Sequence, residues 1–173
     1  MAERRLTIAV ASLLILFSTL STSLTAQDTT PRAESRNRLR IGISLGGTGF
    51  LGIVTEYQHG DWAGELGLGT ISFRELSVFV TGKRYFAGGS FRPVLGAGFW
   101  NLSEWTEEGS GSVFIFRAPI GIDWQVSGGH ALGAEVGLNR ALAIDRRDTE
   151  DDTPPSPRLV PFPGIYYRYG WEH

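Results

Sequence analysis

From residue 38 to residue 171 the chain repeats one pattern: apolar side chains at every second position, with glycine or a charged residue between them. Residues 38–46 put Leu39, Ile41, Ile43 and Leu45 on one parity and Arg38, Arg40, Gly42, Ser44 and Gly46 on the other. Successive side chains point to opposite faces of a strand, so each such run predicts a strand with one apolar face and one glycine-and-polar face. The same reading predicts strands at 51–58, 62–70, from Glu75 into the run of Leu76, Val78 and Val80, and at 91–100. Three more follow at 112–126, around Leu132–Leu138, and at 164–171. Short glycine-containing turns (59–61, 87–90, 127–129) follow the second, fourth and sixth strands. Longer polar segments, 101–111 and 143–161, follow the fifth and seventh. Eight strands with connections alternating in this way predict an all-β, antiparallel up-and-down barrel with short turns at one end and long loops at the other. Pro119 lacks a ladder donor, so a bulge or weakened pairing is expected there.

The two faces differ in what they can tolerate. One parity carries Arg38, Arg40, Lys83, Arg92, Arg117 and Arg168 together with Glu56, Glu65, Glu75, Asp123 and Glu135, and most of the strand glycines. An eight-stranded barrel has an interior just wide enough to be filled by side chains. Long charged residues beside glycines, nearly balanced in sign, fit such a lumen as an ion-paired network. The other parity is Leu, Ile, Val, Phe and Ala, far more apolar area than the few hundred Å² a soluble monomer usually exposes. That arrangement predicts a transmembrane barrel, apolar outside and charged within. Tyr57, Trp62, Phe86, Phe91, Trp124 and Trp171 fall on the apolar parity at the short-turn end, where an interfacial aromatic girdle belongs. Arg74, Arg84 and Arg140 share that parity and are expected at strand ends, free to snorkel. The rival is a soluble, lipocalin-like carrier with the faces reversed.

The first residues bear on the same choice. Arg4 and Arg5 precede an uncharged apolar stretch over 6–20, and Leu24-Thr25-Ala26 offers a cleavage site, so 1–26 reads as a signal peptide. Residues 27–37 are polar and aperiodic, a flexible periplasmic lead-in, which leaves 38–173 as the barrel. A formal net charge of −2 gives no basic stripe for nucleic acid. The absence of cysteine removes disulfides, thiolate metal sites and cysteine nucleophiles.

The strand end Gly82-Lys83-Arg84-Tyr85-Phe86, the strand over Arg92-Pro93-Val94-Leu95-Gly96-Ala97-Gly98 and the aromatic last strand resemble the small eight-stranded outer-membrane barrels. That group includes the outer membrane protein A transmembrane domain and its porin-like relatives. The resemblance spans nearly all of 38–171. It implies a monomeric barrel in a Gram-negative outer membrane, in contact with outer-membrane lipid and lipopolysaccharide. It also implies that the insertion machinery reads the last strand. Such proteins usually finish on an aromatic residue, whereas Glu172 and His173 follow Trp171 here.

His59, His130 and His173 all map to the short-turn end, away from an outer-leaflet substrate, so no catalytic residue is assigned. Asp148, Glu150, Asp151 and Asp152 lack defined ligand spacing and read as a solvated acidic loop rather than a metal site. The glycine clusters open no helix and are not phosphate loops. No cofactor is expected. Trp105, in a charged loop, is a candidate contact for a partner or for lipopolysaccharide. The reading that follows is a non-enzymatic barrel with a closed lumen, in a structural or surface-interaction role through loops 101–111 and 143–161. A narrow channel is the alternative, and a lipid A-modifying enzyme and a soluble carrier remain behind it.

Overall fold

Eight strands, each hydrogen-bonded to the next and the last to the first, close into one antiparallel barrel in a computed structural model that describes residues 37–72, 74–86, 89–106, 109–146 and 154–172. The strands are β1 (Asn37–Gly46), β2 (Leu51–His59), β3 (Trp62–Thr70) and β4 (Glu75–Tyr85), then β5 (Phe91–Thr106), β6 (Gly109–Ser127), β7 (His130–Asp145) and β8 (Val160–Glu172). The fold is the all-β barrel that the alternation predicts. The proposed signal peptide and residues 27–36 of the lead-in lie outside the described residues, as do Asp148, Glu150, Asp151, Asp152 and His173. Asn37, placed in the lead-in by sequence, instead pairs with His59 as the first residue of β1.

The parity is the predicted one. Ile43, Ile53, Leu66, Val80 and Ile120 face out and are exposed, whereas Arg40, Glu56, Lys83, Asp123 and Arg168 are almost wholly buried inside. At the short-turn end the β6–β7 connection is Gly128–Gly129, with φ of 53° and 89°. A two-residue hairpin turn whose twist matches its strands needs positive φ at both positions, which glycine alone supplies at no steric cost.

The wall is uneven in height, and here the sequence reading is corrected. Segment 101–111 is not a loop: β5 runs to Thr106 and β6 starts at Gly109, with Trp105 opposite Ser110 and Asn101 opposite Phe114. A ladder is made by the backbone and continues without an apolar face, while Leu102 still turns inward onto the core. Segment 143–161 shrinks likewise, because Ala143 pairs with Phe114 and Asp145 with Ser112, and β8 begins at Val160. Pro161 and Pro163 join β8 because β1 pairs with it only as far as Gly164, leaving one side of that stretch without a ladder neighbour. β7 therefore continues five residues past Arg140, which lies within the strand and not at its end. No bulge forms at Pro119. The register shifts fall between Phe114 and Ile115 and between Gln125 and Ser127. Pairing of β5 with β6 instead lapses between Leu95↔Ile120 and Gly98↔Arg117, the weakened contact expected of a residue without an N–H.

Candidate functional site

The lumen is layered. Toward the short-turn end Ala63, Tyr85 and Val94 pack together, and toward the loop end Val54, Phe79, Trp100 and Ile115 form a second apolar cluster. Between them lies the charge. Arg40 donates from Nε to Glu56 Oε1 at 2.8 Å and from one terminal nitrogen to both oxygens of Asp123, at 3.0 and 3.1 Å. Its other terminal nitrogen reaches Glu56 and the Tyr85 hydroxyl. Arg168 bridges Glu56, at 2.8 Å, and Glu65. Lys83 sits 2.9 Å from Glu65 and 3.0 Å from Glu135, and Arg117 donates to Glu135 Oε1 at 2.6 Å. Arg92 donates to Asp123 Oδ2 at 2.8 Å. Arg38 donates to Gln125, whose amide in turn donates to Asp123. The partners come from strands far apart in sequence, and every carboxylate of the network meets at least two cations. A buried charge is tolerable only when paired and hydrogen-bonded, and this arrangement satisfies both conditions.

Glu75 stands apart from the network. It lies at the loop end of β4, where its carboxylate accepts the Ser72 N–H at 3.1 Å in the β3–β4 turn. The remaining predicted lumen residues converge as described above.

Four aromatic side chains that the sequence reading gave no role complete the filling. The Nε atoms of Arg92, Arg117 and Arg168 find no acceptor, and each of these guanidiniums instead lies over a ring. The distances are 4.5 Å to Tyr85, 4.9 Å to Phe79 and 3.7 Å to Tyr166. A guanidinium is attracted to the negative face of a ring, so the rings take up charge as well as volume. Trp100 donates from Nε1 to Ser77 Oγ at 2.7 Å, and Ser77 donates to the carbonyl of Thr48. The β1–β2 turn is thereby drawn over the loop-end mouth, with Thr48 buried. Gly46 and Gly47 make that inward fold, at φ of 76° and 75°. An internal cavity of about 10 Å³ beside Glu65, Glu135 and Arg168 has room for roughly one water. Inward parity was the signal for Phe79, Tyr85, Trp100 and Tyr166. Their role could not be found that way, because it depends on which strand lies across the axis.

Outside, Tyr57, Trp62, Phe91, Trp124 and Trp171 are exposed at the short-turn end, and Phe91 stacks on Trp124 at 5.4 Å. Phe86 is half-buried, and Arg84 lies over both it and Trp62, at 5.2 and 5.3 Å. A second outward aromatic group appears toward the loops: Phe99 contacts Phe114 and Phe116 at 5.3 and 6.0 Å. Ten residues of β6 separate Trp124 from Phe114. At 3.4 Å per residue and a strand tilt near 40°, that is about 26 Å along the axis, close to the ~25 Å band of membrane barrels. Trp105 is exposed on β5 close to the β5–β6 connection.

His59 Nδ1 lies 2.8 Å from Asn37 and His130 Nδ1 2.7 Å from the Tyr167 hydroxyl, both exposed at the short-turn end. Among the described residues no group of three or more His, Asp or Glu side chains could hold a metal ion.

No protein-family model and no curated protein matches the chain. Among solved structures it is similar to one from "De novo design of transmembrane beta-barrels", at 15% identity and a TM-score of 0.47, over 79% of this chain and 96% of that one.

Proposed function

We propose that the chain is a non-enzymatic, bilayer-spanning barrel of a Gram-negative outer membrane, exported by residues 1–26 and inserted through recognition of its last strand. The single observation that carries this reading is the inversion of polarity. Arg40, Glu56 and Asp123 are 0% exposed at the centre, while Ile53 is 63%, Leu66 53% and Val80 54% exposed on the outside. Water would favour the opposite arrangement, and hydrocarbon favours this one. The aromatic groups at both ends of the apolar wall support it further.

Within that reading the barrel works as a monomeric scaffold. Its lumen is blocked by paired charge and by Trp100 and Phe79, so its business is at the surface. The extended β5–β6 hairpin, with Trp105 exposed, and residues 154–159 ahead of β8 present that surface beyond the outer leaflet. No pair of nucleophile and base is set at that end among the described residues.

Two measurements test this. The full chain expressed in a Gram-negative host should fractionate with the outer membrane and migrate faster unheated than boiled. Recovery in the soluble periplasm would overturn the membrane reading. Reconstituted in a planar bilayer, the barrel should pass no steady current. Discrete, sustained conductance would replace the closed lumen with the narrow channel.

A further inference from the structure

The outer wall is not smooth. On β7 the small side chain of Ala134 lies between Ile122 of β6 and Ile165 of β8, in register. Two depressions of about 430 and 860 Å³ share this floor and run together across β6, β7, β8 and β1. Their shared walls are apolar, with Ile122 on one side and Leu45 and Ile165 on the other.

Six residues above Ala134 on the same face stands Arg140, exposed and opposite Phe116 of the loop-side aromatic group. Six residues of tilted strand rise about 16 Å, a span comparable to one lipid acyl chain, which fills half of a ~30 Å hydrocarbon core. Arg84, the outward guanidinium at the other end, is held over two rings. Arg140 has no ion pair, hydrogen bond or ring contact from its side chain among the described residues. Arg158 is exposed two residues before Val160, which pairs with Asn139, the neighbour of Arg140.

A guanidinium on an apolar wall, beside the loop-side aromatic group and without a partner among the described residues, can take an anion supplied by the lipid. We infer that Arg140, together with Arg158, binds a phosphate of lipopolysaccharide, one of whose acyl chains lies in the groove over Ala134. The inference rests on the membrane reading above, which puts this end of the barrel in the outer leaflet. Lipopolysaccharide is preferred to a glycerophospholipid on chemical grounds. Its terminal phosphates are monoesters carrying up to two negative charges, matched to two cations and to the bidentate fork of arginine.

The test uses the full folded chain in detergent, titrated with a short-core lipopolysaccharide and separately with phosphatidylglycerol, and read by native mass spectrometry. Wild type should hold lipopolysaccharide in preference to phosphatidylglycerol. Arg140→Gln should weaken that binding about tenfold or more, the loss expected for one charge-assisted contact. Ala134→Phe, which fills the groove, should also weaken it, and Arg84→Gln should leave it unchanged. Wild-type affinity in Arg140→Gln, or equal binding of phosphatidylglycerol, would overturn the inference. Heat-modifiable migration of each variant reports separately whether the barrel itself stands, so loss of the lipid site and loss of the membrane reading are distinguishable.

Discussion

Arg168→Met is expected to destabilise the barrel by about 3–5 kcal/mol, the loss found when one partner of a buried ion pair is removed. The guanidinium is 1% exposed and bridges Glu56 and Glu65, whose side chains are themselves 0% and 2% exposed. Methionine fills similar volume, so the loss comes from the two carboxylates left behind rather than from a void. Arg40 still holds Glu56 and Lys83 still holds Glu65, which keeps the loss within that range. The measurement is equilibrium urea unfolding in lipid vesicles, followed by tryptophan fluorescence, with the outward Arg84→Met as control. Adding Glu65→Gln to Arg168→Met should recover part of the loss, because the amide replaces a buried carboxylate that has lost one of its two cations. A loss below about 1 kcal/mol for Arg168→Met, within the range of an exposed pair, would show that water reaches the network. The closed lumen would then have to be abandoned.

The network links all eight strands, β5 supplying Arg92. Arg40 and Arg38 come from β1, Glu56 from β2, Glu65 from β3, Lys83 from β4 and Asp123 from β6; Glu135 of β7 and Arg168 of β8 complete the circuit. An apolar core of the same volume could be as stable. The charged one ties residues such as Arg40 and Asp123, 83 positions apart, to one register. Because a slip of one residue sends every side chain to the other face, these pairs penalise any misaligned closure of the barrel.

This division explains what could be read from sequence. Strand parity has a period of two and needs no knowledge of the fold, so Arg40 inside and Ile41 outside were legible at once. So were the turns at 60–61 and 128–129, where glycine marks the reversal. The lengths of β5 to β8 were not, because the ladder through Asn101–Thr106 and Gly109–Ser112 is a backbone property carried by polar side chains. The same limit misplaced Arg140, which is at a strand end only if β7 stops early. Glu75 shares the inward parity of Lys83 but lies too close to the loops to meet the network, and height along the axis depends on stagger between strands. The pairings themselves were hidden for the same reason. Parity names the residues that enter the lumen, but only closure decides that Arg168 meets Glu65, 103 positions away.

The glycines of the inner face carry the second large effect. A β-carbon at Gly67 would sit 2.1 Å from two atoms of the Phe79 ring, far inside van der Waals contact. Phe79 is paired opposite Gly67 and is packed with Val54, Trp100 and Ile115, so the ring has no free direction in which to move. Gly67→Ala should therefore cost about 1–3 kcal/mol as overpacking. Phe79→Ala should cost about 3–5 kcal/mol by leaving a cavity, and it also removes the ring under Arg117. In the double variant the new methyl enters the space the ring has left. Its clash disappears and part of the cavity is filled, so the combined loss should fall short of the sum by at least about 1 kcal/mol. Strict additivity in the same urea titration would mean that the glycine serves the backbone alone and that Phe79 does not lie over it. The apolar layer closing the loop end of the lumen would then be packed in some other way.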